Sequence, residues 1–197
     1  MNPKEYPVSL IVTLFIGIVL IYFSPSDSQL GQVIKLIYLH GALIFTGLFL
    51  FAVLGFVSIA SIFRNSLKDL LLDIERTAIV FWLSAAIVGN IASELAWGGI
   101  YWNEPRLKVV IIISLISLSV YFLSTASGND KIKSVLGIAL SSLVFLLILG
   151  AGKIMHPVNP FGASDSSIRF FFGIITLVFL IISIQMVHWL SEKRKET

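Results

Sequence analysis

Apolar residues run along this chain in six long stretches, separated by short polar connectors. The stretches cover about Pro7–Phe23, Leu36–Phe63, Ala78–Ala96, Val109–Ser124, Val135–Ile154 and Ile168–Leu190, the fourth being the shortest. At 1.5 Å per residue, a helix of about 20 apolar residues crosses a hydrocarbon core of ~30 Å. The pattern predicts an all-α polytopic membrane protein, a bundle of six transmembrane helices with residues 1–197 forming a single membrane domain. The first stretch follows Lys4 and precedes Ser24-Pro25-Ser26-Asp27-Ser28, an arrangement that resembles a secretory signal. Its length and the lack of an Ala-x-Ala site predict a retained first helix instead.

The connector from Arg64 to Arg76 also has apolar residues at helical spacing. It predicts a short amphipathic helix lying along the membrane surface. Composition agrees with the membrane class: 57% of residues are hydrophobic, 13% are charged and the mean hydropathy is +0.96. The basic residues predict an orientation. With both termini cytoplasmic, the inner side carries Lys4, Arg64, Lys68, Arg76, Lys131, Lys133, Lys193, Arg194 and Lys195. The outer side carries Lys35, Arg106, Lys108, Lys153 and Arg169. Nine of the fourteen then lie inside, the bias found in membrane proteins.

Cysteine is absent, which excludes iron–sulfur clusters, haem-thiolate ligation and intrachain disulfides. There is no Gly-x-x-x-x-Gly-Lys-Ser/Thr phosphate loop, and no carboxylate pair or Ser-His-Asp set at one face points to a hydrolase. Nothing in the pattern suggests nucleic acid as a partner.

Candidate chemistry gathers on the outer side. The connector after the third stretch contains Trp97, Gly98, Tyr101, Trp102, Asn103, Glu104, Pro105 and Arg106, followed by Lys108. Trp and Tyr settle at interfaces for generic reasons; they also make a shelf for a flat apolar ligand with carboxylates. His40, near the start of the second stretch, and His156, after the fifth, are expected at this same face. A neutral imidazole is a good axial ligand for haem iron. A lone histidine at a membrane interface is more often a hydrogen-bonded structural residue than a ligand; the two together with the aromatic loop on one face favour the ligand reading. Gly41 reads either as room for a bulky ligand beside His40 or as a packing glycine. Glu94 is expensive facing lipid and is expected to face the bundle or the cleft. His188 belongs to the far side, beside Trp189, and reads as an interfacial residue. Pro157 and Pro160 predict a rigid loop that braces His156 or simply connects two helices.

These residues resemble the haem-handling family of cytochrome c biogenesis, the group containing CcmC and CcsA. Members carry a loop of the type Trp-Gly-x-x-x-Trp-x-Trp-Asp-x-Arg flanked by two histidines. Trp97-Gly98, Tyr101-Trp102 and Glu104-Pro105-Arg106 match it, as do His40 and His156, over roughly residues 37–189. Asn103 stands where the family has its last Trp, Glu104 where it has Asp, and Gly41-Ala42 where it has Val-Pro. The resemblance implies a non-enzymatic protein of the cell (inner) membrane with its site facing the extracytoplasmic side. It implies haem b as a transient ligand held by His40 and His156, stacked on Trp97, Tyr101 and Trp102. Arg106, with Lys108 and Lys35 behind it and Glu104 beside it, would meet the propionates. The implied partners are a haem chaperone, an ABC-type transporter complex of cytochrome c maturation, and membrane lipid. Two other classes remain open: a b-type cytochrome or redox-complex subunit, and a small transporter or structural membrane subunit without haem.

Overall fold

A computed structural model describes residues 5–64, 67–152 and 166–196. Six helices follow one another: α1 (Glu5–Phe23), α2 (Ile34–Phe63), α3 (Lys68–Trp97), α4 (Pro105–Ala126), α5 (Asp130–Gly150) and α6 (Ser166–Lys195). Among the described residues the β-type pairing is confined to one bridge, between Asp27 and Gly31 in the α1–α2 loop. Five helices, α2 to α6, are long and apolar enough to cross a membrane. The apolar stretch of α1, Pro7–Phe23, is shorter. Side chains such as Phe15, Phe56 and Leu149, 65%, 74% and 81% exposed, face outward as lipid-facing residues do.

The centre of the molecule is the antiparallel pair α2 and α3. Helix α5 packs on α2, α4 lies across α3 and α5, and α6 covers one side of α2 and α3 and carries α1 on its outer face. Between these helices Tyr38, Phe51, Leu54, Trp82, Ile113 and Ile175 are buried. The rings of Phe51 and Trp82 meet edge to face at 5.9 Å, the favoured geometry for aromatic pairs.

Three boundaries differ from the sequence expectation. The segment after Arg64 is not a separate surface helix: from Lys68 onward it forms the first turns of α3, a single 30-residue helix. The reason is burial. Leu71 and Ile74 enter the core, and even Asp73 and Glu75 are only 8% and 2% exposed. Two of the polar positions, Asp73 and Glu75, are turned inward, and Asp73 pairs with Arg194 of α6, while Asp69 and Arg76 stay exposed. Helix α4 is longer than its apolar run, because Pro105 occupies its first turn, where the missing N–H costs nothing. Helix α5 starts at Asp130, with the Asn129 side chain accepting the Lys131 N–H at 2.9 Å, a regular N-cap.

Candidate functional site

The site is built where α3 hands over to α4. Helix α3 ends on Gly98, whose φ of +74° is left-handed and whose N–H caps the Glu94 carbonyl at 2.9 Å. Such a turn favours glycine. The chain then folds back on itself. The Ser93 hydroxyl donates to the Gly99 carbonyl at 2.8 Å, the Tyr101 hydroxyl reaches the Trp97 carbonyl at 3.3 Å, and the Glu104 N–H donates to the Tyr101 carbonyl at 2.9 Å. These bonds fix a short loop over the end of the α2–α3 pair.

Beneath the loop lies a cavity of about 160 Å³. His40 lines it from α2; Asn90, Ser93 and Trp97 from α3; Tyr101, Glu104 and Arg106 from the loop and the start of α4. His40 sits six residues into α2, about 9 Å along the axis at 1.5 Å per residue. Its Nδ1 lies 2.9 Å from the Ala85 carbonyl. A carbonyl oxygen only accepts, so Nδ1 carries the proton, and in the neutral ring Nε2 keeps its lone pair. This is the arrangement seen behind metal-bound histidines, where the second ring nitrogen donates to a carbonyl or carboxylate. The ring fits because residue 89 is glycine: a Cβ there would stand 2.5 Å from the imidazole.

The sequence-derived candidates fall into three groups. His40, Trp97, Tyr101, Glu104 and Arg106 surround this cavity. Trp102, 66% exposed, and the exposed Lys108 lie outside its lining. His156, with Lys153 and the 157–162 loop, lies outside the described residues.

Several supporting expectations are overturned. Lys35 does not stand behind Arg106; its Nζ donates to the Tyr22 carbonyl at 2.6 Å and lies 5.4 Å from the Tyr22 ring centroid. Gly41 makes no room for a ligand, since its missing side chain is replaced by the Phe172 ring, 2.6 Å from where a Cβ would be. Glu94 is exposed in the last turn of α3 rather than turned into the bundle. His188 lies on α6 sixteen residues beyond Phe172, which touches the His40 level at Gly41, and sixteen residues span about 24 Å. It belongs to the opposite end of the bundle, as expected.

Gly89, Asn90 and Ser93 were missed by the sequence reading. Their signal is the spacing Ala86, Gly89, Asn90, Ser93, a stripe of small and polar positions on one face of an otherwise apolar stretch of helix, leading to Trp97. Asn90 is held by its own helix, its Nδ2 donating to the Ala86 carbonyl at 2.9 Å.

Fold and site together define a multi-pass α-helical membrane protein with a histidine-lined cavity at one end of its helices. No protein-family model matches the chain, and no curated protein matches it at a significant level.

Proposed function

We propose that the protein binds haem at the membrane face formed by the α1–α2 and α3–α4 loops and passes it on during cytochrome c maturation. The observation that carries this reading is the His40 ring in the cavity lining with its Nδ1 bonded to the Ala85 carbonyl, a bond that leaves Nε2 as the ring nitrogen for iron. Trp97 and Tyr101 supply aromatic surface at the mouth, and the exposed Arg106 suits a carboxylate, which a guanidinium grips in bidentate fashion. The cavity is smaller than the ~300–1,000 Å³ pockets that enclose drug-sized ligands. It therefore takes the part of the ligand next to His40, while the rest of the macrocycle lies across the mouth toward lipid. Shallow seating of this kind suits a cargo that must leave again.

In this reading His40 is one axial ligand and His156 the other. This chain makes and breaks no covalent bond; it orients the cargo and excludes water from one of its faces. The site faces the extracytoplasmic side of the cell membrane, where a haem chaperone receives the cargo and an ABC-type transporter complex drives its release. The positive-inside bias supports that orientation.

One observation favours a second reading, a structural subunit or small transporter without haem. The same Nδ1 bond and the notch at Gly89 make His40 a fastener between α2 and α3. Purification of wild type, His40→Ala and His156→Ala from haem-replete membranes separates the two. Haem binding predicts a Soret band in wild type that falls in both variants. Unchanged haem content and spectrum in both variants sinks the axial assignment, and haem-free wild type favours the fastener.

A further inference from the structure

A second cavity, of about 320 Å³, opens at the opposite end of the bundle, between the start of α3 and the ends of α4 and α6. We propose that it is a binding site for the phosphate-bearing headgroup of an anionic membrane lipid.

The lining contains three cations, Arg76, Lys193 and Arg194, against one carboxylate, Asp73. Arg194 is already spent on structure: it pairs with Asp73, reaches the Asp69 backbone carbonyl, and lies 3.9 Å from the Asp69 carboxylate. That leaves Arg76 and Lys193. Both are exposed, and among the described residues neither has a carboxylate within ion-pair distance. Lys193 stands over the Trp189 ring, 5.5 Å from its centroid, which positions its ammonium at the cavity. Tyr121 adds a hydroxyl to the wall, and Leu72 and Leu190 add apolar surface.

Position along the helices supports this choice of ligand. Asp73, Tyr121 and Trp189 each lie five or six residues inside the ends of their helices, about 8–9 Å at 1.5 Å per residue. Trp and Tyr concentrate at this level, and lipid phosphates lie near it. Three cations against one carboxylate leave the pocket net positive, and the leucines beside them give apolar surface at the same level, a combination that suits a phosphate headgroup and the start of its acyl chains. Basic pockets between membrane helices bind anionic headgroups by the same chemistry. The site is remote from His40 and owes nothing to the haem reading.

The test uses the full chain in nanodiscs of phosphatidylcholine, with and without phosphatidylglycerol, reading thermal melting and the lipid retained in native mass spectrometry. Wild type is expected to retain phosphatidylglycerol selectively and to melt higher with it. The Arg76→Gln/Lys193→Gln pair is expected to weaken that retention about thirtyfold, from two interfacial cations. The pair is also expected to leave melting in phosphatidylcholine unchanged. Lys131→Gln/Lys133→Gln, which removes equal charge from the same end of the molecule, is expected to leave retention intact. Should the first pair fail to fold, Lys193→Gln alone carries the test, with a loss of about fivefold. Indifference of wild type to phosphatidylglycerol overturns the proposal, as does an equal loss in the Lys131/Lys133 pair. Inorganic phosphate that reproduces the melting rise in neutral discs overturns the lipid as source and assigns a soluble phosphate.

Discussion

At the scale of single residues, the imidazole of His40 depends on what residue 89 lacks. Gly89→Ala would place a Cβ 2.5 Å from the ring, closer than atoms tolerate, so the ring must swing out and release the Ala85 carbonyl. Overpacking of this kind costs about 1–3 kcal/mol. The expected outcome is a lower melting temperature together with loss of the Soret band; a variant that melts lower yet keeps its haem would separate the notch from the ligand. His40 was legible as a candidate because histidine is rare in an apolar run. Gly89 was not, because a glycine announces nothing about which side chain, 49 positions away, fills its space. Asp27 offers a second test outside the helices. Its Oδ1 accepts the N–H groups of Leu30 at 2.9 Å and Gln29 at 2.8 Å. Those bonds, the Leu30 bond foremost, favour the carboxylate and hold its pKa below the ordinary 3.8. A lowered folded pKa stabilises the protein above 3.8, and the contribution disappears as pH falls through the folded value. Asp27→Asn should therefore melt slightly below wild type near neutral pH. The two should converge well under 3.8, which paired melting curves would detect.

At the scale of helices, α1 is the element least embedded in the bundle, and its hold on α6 is partly polar. Gln185 Nε2 donates to the Ser9 hydroxyl at 3.0 Å and to the Thr13 hydroxyl at 3.1 Å. Hydrogen bonds between membrane helices are worth about 0.6 kcal/mol on average and up to about 1.7. Gln185→Leu should loosen α1 by an amount in that range, read as earlier proteolysis of the N-terminal helix and a small fall in unfolding free energy. Unchanged protection would mean that Gly17 packing on Val178 and Phe179, 3.5 Å from its would-be Cβ, suffices alone. The helices themselves were largely legible, since long apolar runs have few other solutions in lipid. The start of α3 was not. An amphipathic stretch reads alike whether its polar side meets water or a partner, and the partner of Asp73 is Arg194, 121 residues later. The polar stripe on α3 is present in the sequence, but small and polar positions on a membrane helix read alike whether they pack on a neighbour or line a cavity.

At the scale of the whole molecule, the two ends differ in chemistry, and the difference bears on orientation. The end with the His40 cavity carries Lys35, Arg106, Lys108 and Arg169 among the described residues; the other carries Arg64, Lys68, Arg76, Lys131, Lys133, Lys193, Arg194 and Lys195. Cytoplasmic ends are the richer in Lys and Arg, so the cavity end is expected to face out. The chain has no cysteine, and single introduced thiols can therefore report the sidedness without background. Ser28, Asn103 and Gly128 are exposed loop positions, the first two at the cavity end and the third at the other. Ser28→Cys and Asn103→Cys should react with a membrane-impermeant maleimide in intact cells, and Gly128→Cys only after permeabilisation. The opposite labelling would place the cavity in the cytoplasm. Delivery to an extracytoplasmic chaperone would then fail as a function, while His40, its Ala85 bond and the cavity would keep their capacity to bind from the inner side. Orientation and ligand are separable claims, and the thiol experiment acts on the first alone.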